Sequence, residues 1–309
     1  MKKLLSTAAL LLASILWGFA FAAQSGASSV PPFTLGAARS IIGALFLIII
    51  IPIFDKARGE KRRLLSKKGI DLNRYELLGG AVLGIILAVA SFFQQLGINS
   101  GTDGGKAAFI TALYVVLVPV YALVLGKRAP VNVWLAVAIS TLGFYFLCIK
   151  SDLSISPSDA VCFVCSLIFP IHILVIDRLA PKCDGVRMSM VQFLVASIFN
   201  TAMALIFESP VTEGIATAID AIIPILYLGI ASSGIAYTLQ IIGQRGADPT
   251  ASAIILSLES VFGVVGTALI IGTSMTPREY LGSFIVLLAV ILSQLDFKEM
   301  IKKAKRQNK

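Results

Sequence analysis

The stretch KAAFITALYVVLVPVYALVL, residues 106–125, contains one charged side chain, Lys106, followed by 19 residues that carry no charge. An α-helix rises about 1.5 Å per residue, so about 20 apolar residues cross a hydrocarbon layer about 30 Å thick. In lipid every backbone N–H and C=O group needs a partner within the protein, and a helix supplies these partners from its own segment. The stretch therefore predicts a transmembrane helix.

The composition of the 309-residue chain is that of a membrane protein. Hydrophobic residues make up 57% and charged residues 14%, whereas soluble domains have about 45–50% and about 25%. Turn-forming residues separate the apolar runs, and the loops are too short for another domain. We predict an all-α polytopic membrane protein with ten transmembrane helices. Their bounds are 4–23, 33–54, 76–98, 106–125, 131–149, 159–179, 188–207, 220–243, 250–271 and 279–296.

The distribution of Lys and Arg predicts the orientation of these spans. With the N-terminus in the cytoplasm, 22 of these residues lie on the cytoplasmic side and three on the other side, as the positive-inside rule requires. We therefore expect a multi-pass protein of the cell (plasma) membrane with both termini in the cytoplasm and a basic cytoplasmic tail at 298–309. The first span also resembles a cleavable signal peptide, but its apolar run is longer than the usual length of about 7–15 residues.

The second half of the chain repeats part of the first half. A shift of 146 positions without gaps places the third and fourth spans on the eighth and ninth. With five spans in each half, the second half enters the membrane the opposite way up, an arrangement common in transporters with a site between the halves. We therefore predict two inverted five-helix repeats, residues 1–150 and 151–297. The matched positions are Gln94 with Gln240, Gly97 with Gly243, Ala107 with Ala253 and Gly126 with Gly272.

Several segments carry a resemblance to a known family. They are LLASILWGFAFAA in the first span, LGAARSIIGALFL in the second, the linked third and fourth spans at 91–127, and YLGIASSGIAYTLQIIGQRGADPTASAIILSLESVFGVVGTALIIG. With these segments the chain resembles the EamA-type transporters of the drug/metabolite transporter (DMT) superfamily over nearly its full length. The resemblance implies a five-plus-five carrier that moves small metabolites such as amino acids, often outward. Members often have Glu where this chain has Lys127 and Thr273.

The segment AIILSLESVFGVVG places Glu259 about ten residues into the ninth span, and therefore near the membrane midplane. A charge at this depth costs at least about 2.5–3.5 kcal/mol on insertion scales and is a functional candidate by default. One hypothesis is that Glu259 couples transport to protons or binds a substrate amine. The alternative is a structural role, which the resemblance favours, because this glutamate recurs in members that differ in substrate.

Two further ionisable residues lie within predicted spans. His172 follows Pro170 by two positions in the sixth span and is a candidate proton relay, although an interior histidine bonded to a neighbour is the simpler interpretation. Arg39 lies near the outer end of the second span. It either extends its head group to the interface or binds a substrate carboxylate.

Uncharged polar and aromatic side chains complete the predicted site. Gln94 and Gln95 lie near the outer end of the third span and Gln240 near the inner end of the eighth, the mirrored placement that an inverted repeat predicts. Such side chains either join helices or line a cavity for a neutral or zwitterionic solute. The candidate substrate-binding residues are Trp17, Arg39, Gln94, Gln95, Tyr114, His172, Tyr237, Gln240 and Glu259.

The sequence contains no Walker-type phosphate loop, HExxH, GxSxG or kinase signature, so ATP-driven transport and soluble-enzyme chemistry lack their usual residues. The predicted function is secondary transport of a small metabolite, an amino acid or a related solute, by alternating access in the export direction. The alternatives are an importer or facilitative exchanger of another small organic solute, and, in other classes, an intramembrane enzyme or a channel.

The expected partners follow from the same composition. The basic residues are spread over short loops without interleaved aromatics, so we expect no nucleic acid. The four cysteines form no ligand framework, and Cys162 and Cys165 are expected to pack within the sixth span. We predict no cofactor, no metal and no catalytic residue. The partners are then a small-molecule substrate, membrane lipid and protons as a candidate coupling ion, in a monomer or weak dimer.

Overall fold

The computed structural model describes residues 2–57, 64–66, 69–127, 129–148, 156–208, 210–271 and 276–294. The tail at 298–309 and Thr273 lie outside these ranges. Within them the α-helices are α1 (Lys2–Gly26), α2 (Pro32–Ala57), α3 (Arg74–Asn99), α4 (Gly104–Ala112), α5 (Tyr114–Val124), α6 (Val131–Cys148), α7 (Pro157–Leu179), α8 (Gly185–Phe207), α9 (Val211–Asp220), α10 (Ile222–Tyr227), α11 (Tyr237–Gln244), α12 (Pro249–Leu256), α13 (Glu259–Ile271) and α14 (Pro277–Gln294).

Three short elements complete this description. A 3₁₀ turn at Ala180–Lys182 follows α7, and a π-helical segment at Leu228–Ala236 joins α10 to α11. Strands β1 (Leu65–Ser66) and β2 (Gly69–Ile70) form a two-residue antiparallel hairpin in the basic loop between α2 and α3.

The prediction of an all-α polytopic membrane protein is confirmed. Eight helical stretches of the described ranges are long and apolar enough to cross a membrane. The fourth predicted span consists of α4 and α5, the eighth of α10, the π-helical segment and α11, and the ninth of α12 and α13. The fifth and tenth are the shorter apolar helices α6 and α14, which pack along each other. The number of ten crossings stays a prediction.

Helix α9 is an element that the sequence does not predict. It lies between the seventh and eighth predicted spans, where FESPVTEG indicates a loop. Pro210 directly precedes the helix, and proline next to a helix start is compatible with its fixed φ angle. The proline that we interpreted as part of a loop therefore marks the start of a helix.

Capping boxes begin α3 and α7. The Asn73 side chain accepts a hydrogen bond from the backbone N–H of Glu76, and the Glu76 carboxylate accepts one from the N–H of Asn73. Ser156 and Asp159 make the same reciprocal pair at α7. Each box satisfies two N–H groups that a helix start leaves without intrahelical partners. The polar residues between the apolar runs therefore also determine where these helices begin.

The helices pair in a pattern that relates the two halves of the chain. α2 packs along α8, and α6 packs along α14. α1 packs against α13 and against α11 with its π-helical segment, whereas α7 packs against α4 and α5 and against α3. The same pairs of helices are therefore in contact when α1 is exchanged with α7, α2 with α8, α4–α5 with α12–α13, and α3 with α10, the π-helical segment and α11.

Two of the helical stretches are interrupted near their middle. α4 and α5 are separated at Leu113, and α12 and α13 at Ser257 and Leu258. At both points a backbone N–H bonds to the carbonyl three residues earlier, from Leu113 to Ile110 and from Leu258 to Ile255. These tight turns keep the backbone groups satisfied, as lipid requires, and a tightened turn within a helix often marks a functional hinge.

The α2–α8 pair is joined by a carboxylate at each end. Glu208, which follows α8, accepts hydrogen bonds from the backbone N–H groups of Phe33 and Thr34 at 2.6 and 2.8 Å and from the Thr34 hydroxyl at 2.7 Å. At the other end Asp55 accepts two bonds from the buried guanidinium of Arg187, at 2.8 and 2.7 Å. We call these two sets of hydrogen bonds the outer tie (Glu208 with Phe33 and Thr34) and the inner tie (Asp55 with Arg187). Their residues are equally spaced in the sequence, because Thr34 and Arg187 are 153 positions apart, and so are Asp55 and Glu208.

The side chains are distributed as expected for a bundle in lipid. Large apolar side chains point outward, and Val124 and Ile223 are 82% and 79% exposed. The interior packs other apolar side chains and also buries charged and amide side chains, among them Arg39, Gln94 and Glu259. Polar groups inside a membrane bundle are costly unless they have partners or face a cavity, so these residues direct attention to the centre of the bundle.

Candidate functional site

A cavity inside the bundle collects polar side chains from both halves of the chain. The space between protein atoms in and around it is about 490 Å³, a figure that includes open solvent at its mouth. Its walls come from α1, α2, α3, α4, α5 and α7, from the π-helical segment with α11, and from α12 and α13. Eight of the nine predicted binding residues line it: Trp17, Arg39, Gln94, Tyr114, His172, Tyr237, Gln240 and Glu259.

Glu259 begins α13, directly after the interruption that follows α12. The residue is 4% exposed and lines the cavity. Its Oε1 atom is buried and has no hydrogen-bond partner, and the hydroxyl of Tyr114 lies beside the carboxyl group. Among the described residues no cation forms an ion pair with it. A buried carboxyl group with an unused acceptor on a cavity wall can hold a proton or bind an ammonium group.

Arg39 reaches the same cavity from α2. The residue is buried, and its Nε and Nη2 atoms donate hydrogen bonds to the hydroxyls of Ser233 at 3.2 Å and Ser232 at 2.9 Å. The head group therefore points into the bundle rather than outward to the interface. Hydroxyls do not neutralise its charge, and in the described part of the chain no carboxylate lies within ion-pair distance. A guanidinium in this setting is suited to a carboxylate ligand.

The two serines that bind Arg39 belong to the π-helical segment. A π-helix interrupts the regular spacing of side chains along a membrane helix, and π-bulges are frequent at functional sites. The sequence gives no period or motif that would predict this segment. The contact between Arg39 and the adjacent pair Ser232 and Ser233 is therefore a feature that only the structure provides.

Tyr237 lies at the centre of an aromatic cluster that forms one wall. Its ring centroid is 4.6 Å from that of Trp17, 5.8 Å from that of His172 and 5.6 Å from that of Phe193. The Trp17 indole N–H donates to the backbone carbonyl of Ser232 at 3.3 Å. Buried aromatic rings add apolar contact area and keep a polar tip for hydrogen bonds, so the cluster supplies a mainly apolar surface next to Arg39 and Glu259.

His172 has a partner within the protein. Its Nε2 atom lies 3.2 Å from Oε1 of Gln192 in α8, and the residue is 1% exposed. This geometry agrees with the interpretation of an interior histidine bonded to a neighbour, while the ring also forms part of the cavity wall. A proton relay through His172 stays a prediction.

Amide side chains face the cavity from both halves. Gln94 donates from Nε2 to the hydroxyl of Thr111 at 2.8 Å, and Oε1 of Gln240 is buried without a partner. Gln24 of α1 also lines the cavity, and its Oε1 atom lacks a partner too. We did not predict Gln24, and its signal was an amide directly after the predicted first span. The unused oxygens are acceptors for N–H groups of a solute.

Gln95 is the one predicted binding residue that the cavity lining does not include. Its Nε2 atom donates to the backbone carbonyl of Gln24 at 3.3 Å and to Oδ1 of Asn99 at 2.7 Å. The side chain therefore connects α3 to α1 beside the cavity. Lys127, which stands where family members often have glutamate, forms an ion pair with Asp177.

The cavity walls from α1 and α7 are equivalent in sequence. Three pairs of lining residues have the same spacing of 152 positions, and every member of each pair lines the cavity. Leu113, which is 146 positions before Glu259, is not among the lining residues. The equivalence therefore holds for the aromatic and apolar walls and fails at the carboxylate. The pairs are Trp17 with Phe169, Ala20 with His172 and Phe21 with Ile173.

Residues 4–149 and 157–295 match the EamA-like transporter family. These ranges include nearly the whole chain and every residue that lines the cavity. The chain belongs to the EamA-like transporter family. It is therefore a membrane transporter, and the resemblance seen in the sequence is confirmed.

Individual relatives of this EamA-like transporter agree with the family match. It is 28% identical over 300 residues to an uncharacterized transporter of Archaeoglobus fulgidus, a match that covers 95% of this chain and 87% of the relative. It also superposes on a solved crystal structure with a TM-score of 0.72 at 17% sequence identity, covering 94% of this chain and 96% of that chain. At this identity the structural likeness shows the fold alone.

The soft and acidic side chains of this EamA-like protein do not gather around a common point in the described ranges, where no three His, Cys, Asp or Glu residues form a group that could hold a metal ion. Cys162 and Cys165 are buried in α7. The Cys165 sulfur lies 3.4 Å from the hydroxyl of Thr111. This contact joins α7 to α4 next to the cavity.

Proposed function

We propose that this protein is a secondary transporter that exports a small zwitterionic metabolite, an amino acid or a related solute, by alternating access. The observation that carries the proposal is a cavity lined by an arginine and a glutamate that the protein does not pair with each other. Arg39 and Glu259 both line this cavity. Neither takes part in any of the ion pairs of the described residues.

A zwitterion supplies the two missing counter-charges. Its carboxylate would bind the Arg39 guanidinium, which Ser232 and Ser233 hold in place. Its ammonium group would bind Oε1 of Glu259 and unused amide oxygens such as that of Gln240. Charge-assisted hydrogen bonds of this kind are about twice as strong as neutral ones. They also explain why a membrane bundle retains buried charges whose burial is costly.

The pairing of helices supports alternating access. The contacts are nearly unchanged when the halves are exchanged, and the family match consists of two ranges, 4–149 and 157–295. Two inverted repeats of similar structure give a protein two related conformations, one open to each side of the membrane. We propose the five-plus-five inverted repeat, with the repeats at 1–150 and 151–297, on this basis.

The placement in the cell membrane belongs to the same proposal. Both termini are cytoplasmic in the orientation that the 22 cytoplasmic Lys and Arg residues favour. In this orientation α1 runs outward from the cytoplasm, and the interruption at Glu259 lies near the midplane. A proton on Glu259 would compete with a substrate ammonium for the same oxygen, so protons are a candidate coupling ion.

Ligand-induced stabilisation of the purified protein tests the substrate class. A zwitterionic amino acid should raise the unfolding temperature, because a ligand that binds only the folded state stabilises it. The matched acid without the amine and the matched amine without the carboxylate should each bind at least about tenfold more weakly, since each loses one charge-assisted contact. Equal binding of all three compounds would contradict the zwitterion proposal.

Counterflow in proteoliposomes tests the mechanism. An alternating-access carrier loaded with unlabelled amino acid should accumulate the labelled compound transiently, and the initial rate should saturate. A channel would give flux that equilibrates without such an overshoot. Flux with imposed gradients of either direction, measured at two pH values, tests export and proton coupling in the same vesicles.

A further inference from the structure

We infer that two similarly placed sets of hydrogen bonds close the cavity at its two ends and act as the gates of the transport cycle. The outer gate consists of Gln95 and Asn99 at the end of α3, with their acceptors on and after α1. The inner gate consists of Gln244 and Arg245 at the end of α11, with their acceptors on and after α7. This inference rests on the alternating access proposed above.

The outer gate joins the end of α3 to the end of α1. Asn99 donates from Nδ2 to the backbone carbonyl of Val30, in the loop between α1 and α2, at 2.8 Å. Gln95 donates to the carbonyl of Gln24 at 3.3 Å and to Oδ1 of Asn99 at 2.7 Å. The second bond fixes the Asn99 amide so that its Nδ2 atom points at Val30. Two side chains of α3 therefore hold the chain around the outer end of α1.

The inner gate joins the end of α11 to the end of α7 in the same way. Arg245, directly after α11, donates from Nε to the carbonyl of Ala180 at 3.0 Å and from Nη2 to the carbonyl of Cys183. Gln244 donates from Nε2 to the carbonyl of Ile173 at 3.0 Å. Cationic side chains at the last carbonyls of a helix are favoured by its dipole. The last side chain of α11 and the one directly after it therefore hold α7 and the turn that follows α7.

One donor of each gate occupies an equivalent position of the repeats. Asn99 and Arg245 are 146 positions apart, the spacing that relates the third span to the eighth. Val30 and Lys182 are 152 positions apart, the spacing that relates the α1 and α7 walls, and Lys182 lies between the two carbonyls that Arg245 binds. Each gate thus uses a donor at the end of one helix and carbonyls in the turn after another.

Close helix contacts next to each gate follow the same equivalence. A Cβ added at Gly97 in α3 would lie 2.6 Å from Cβ of Cys162 in α7. A Cβ added at Gly243 in α11 would lie 2.7 Å from Cγ of Leu10 in α1. Cys162 and Leu10 are again 152 positions apart, and both are fully buried. The end of α3 therefore covers Cys162, and the end of α11 covers Leu10.

With both gates formed, the polar cavity residues are buried. Opening one side requires the end of α3 or of α11 to leave its partners, which breaks the bonds of that gate only. The inner gate has a charged donor with two acceptors, whereas the outer gate has neutral donors. Hydrogen bonds to charged groups are stronger, so removal of Arg245 should open the inner gate more than removal of Asn99 opens the outer gate.

Cysteine accessibility tests each gate separately. The outer reporter is Cys162 as the single cysteine of the chain, and the inner reporter is Leu10→Cys in a chain whose four native cysteines are replaced. The labelling rate by a membrane-impermeant maleimide is normalised to the denatured protein. Asn99→Ala should raise labelling of Cys162 about fivefold and leave the inner reporter unchanged. Arg245→Ala should raise labelling of the inner reporter about tenfold and leave Cys162 unchanged.

Matched controls and a transport-independent readout make the result decisive. Arg178→Ala removes an exposed arginine at the inner end, and Ser100→Ala changes the exposed neighbour of Asn99; neither should alter either reporter. Unchanged labelling in both gate variants, or equal increases at both reporters in each variant, would overturn the inference. The labelling assay needs no substrate, so its result does not depend on whether counterflow of amino acids is observed. Conversely, counterflow could be observed even if the labelling results contradict the gates.

Discussion

Residues 74–124 and 222–271 make corresponding helix contacts in the two halves of the chain. Comparing the two segments distinguishes the packing features that both share from the cavity features that only one has. Both segments bring a glutamine to the cavity, Gln94 and Gln240, and both contain an interruption in the middle of a span. Both place a glycine, Gly97 or Gly243, against a facing helix. These shared features concern helix packing and the interruption of a span, and both halves have them.

Several differences between the segments lie at or beside the cavity. Glu259 stands where the first half has Leu113, and Tyr237 stands where it has Ser91. Ser91 lines a smaller neighbouring cavity of about 230 Å³ that Arg39 also lines. The π-helical segment of the second half corresponds to regular helix in α3. At these points the second half has a carboxylate and an aromatic side chain, whereas the first half has an apolar and a small one.

The largest expected effect on binding comes from replacing Glu259 with leucine, the residue at the corresponding position of the first half. Glu259→Leu gives the second half the side chain of the first and should cost about 2–3 kcal/mol of binding free energy for an amino acid, because the ammonium loses a charge-assisted contact. Isothermal titration of the purified protein measures this change. Glu259→Gln keeps the size of the side chain and should weaken the amino acid while leaving the matched acid without an amine unaffected.

A purely structural role for Glu259 predicts a different pair of results. Glu259→Gln would then bind amino acids as wild type does, and Glu259→Leu would lower the unfolding temperature without a selective loss of the ammonium contact. That outcome would show that Glu259 does not bind the ammonium group, although it is the main difference between the two segments.

An intermediate and equal effect is expected at the two close-packed glycines. Gly97→Ala and Gly243→Ala should each lower the free energy of unfolding by about 1–3 kcal/mol, because the added methyl group overlaps the facing helix. Thermal unfolding in detergent measures both. Gly263→Ala is the control, since its Cβ would lie 3.5 Å from Cβ of Ala108, an ordinary contact. Strongly unequal losses at Gly97 and Gly243 would show that the two contacts are not equivalent.

The smallest effect is expected at the paired glutamines. Gln94→Leu and Gln240→Leu each remove one neutral polar group, and such interactions are worth about 0.6 kcal/mol on average within membrane bundles. Substrate binding should therefore weaken about threefold in each variant. A loss of a hundredfold at one glutamine and none at the other would sharpen the comparison by extending the asymmetry beyond Glu259.

The fold could be predicted from the sequence because the lipid environment imposes simple rules. Apolar runs of about 20 residues and polar interruptions are visible in the sequence, and they fix the helices to within a few residues. Helix α9 was missed because Pro210 indicates both a turn and a helix start. No sequence pattern predicted the interruptions at Leu113 and Leu258 or the π-helical segment. These features change the backbone hydrogen bonds without a change of composition.

The site was less accessible to prediction because it depends on how helices are rotated against each other. A buried charge such as Glu259 stands out in an apolar run, and the repeat spacing links Gln94 to Gln240. The direction of a side chain around its helix does not follow from depth alone. Gln95 therefore connects α3 to α1, although it is the neighbour of a cavity residue, and Gln24 lines the cavity from directly beyond the predicted end of its span.

The two ties between α2 and α8 have a consequence for how the chain is inserted into the membrane. In the proposed orientation the Asp55–Arg187 tie lies on the cytoplasmic side, where a basic residue reinforces the topology. The equivalent outer tie has Thr34 and backbone N–H groups in place of an arginine, with Glu208 as the acceptor. A helix N-terminus carries a partial positive charge without any basic side chain. The outer tie thus holds a carboxylate without adding a charge that would oppose correct insertion.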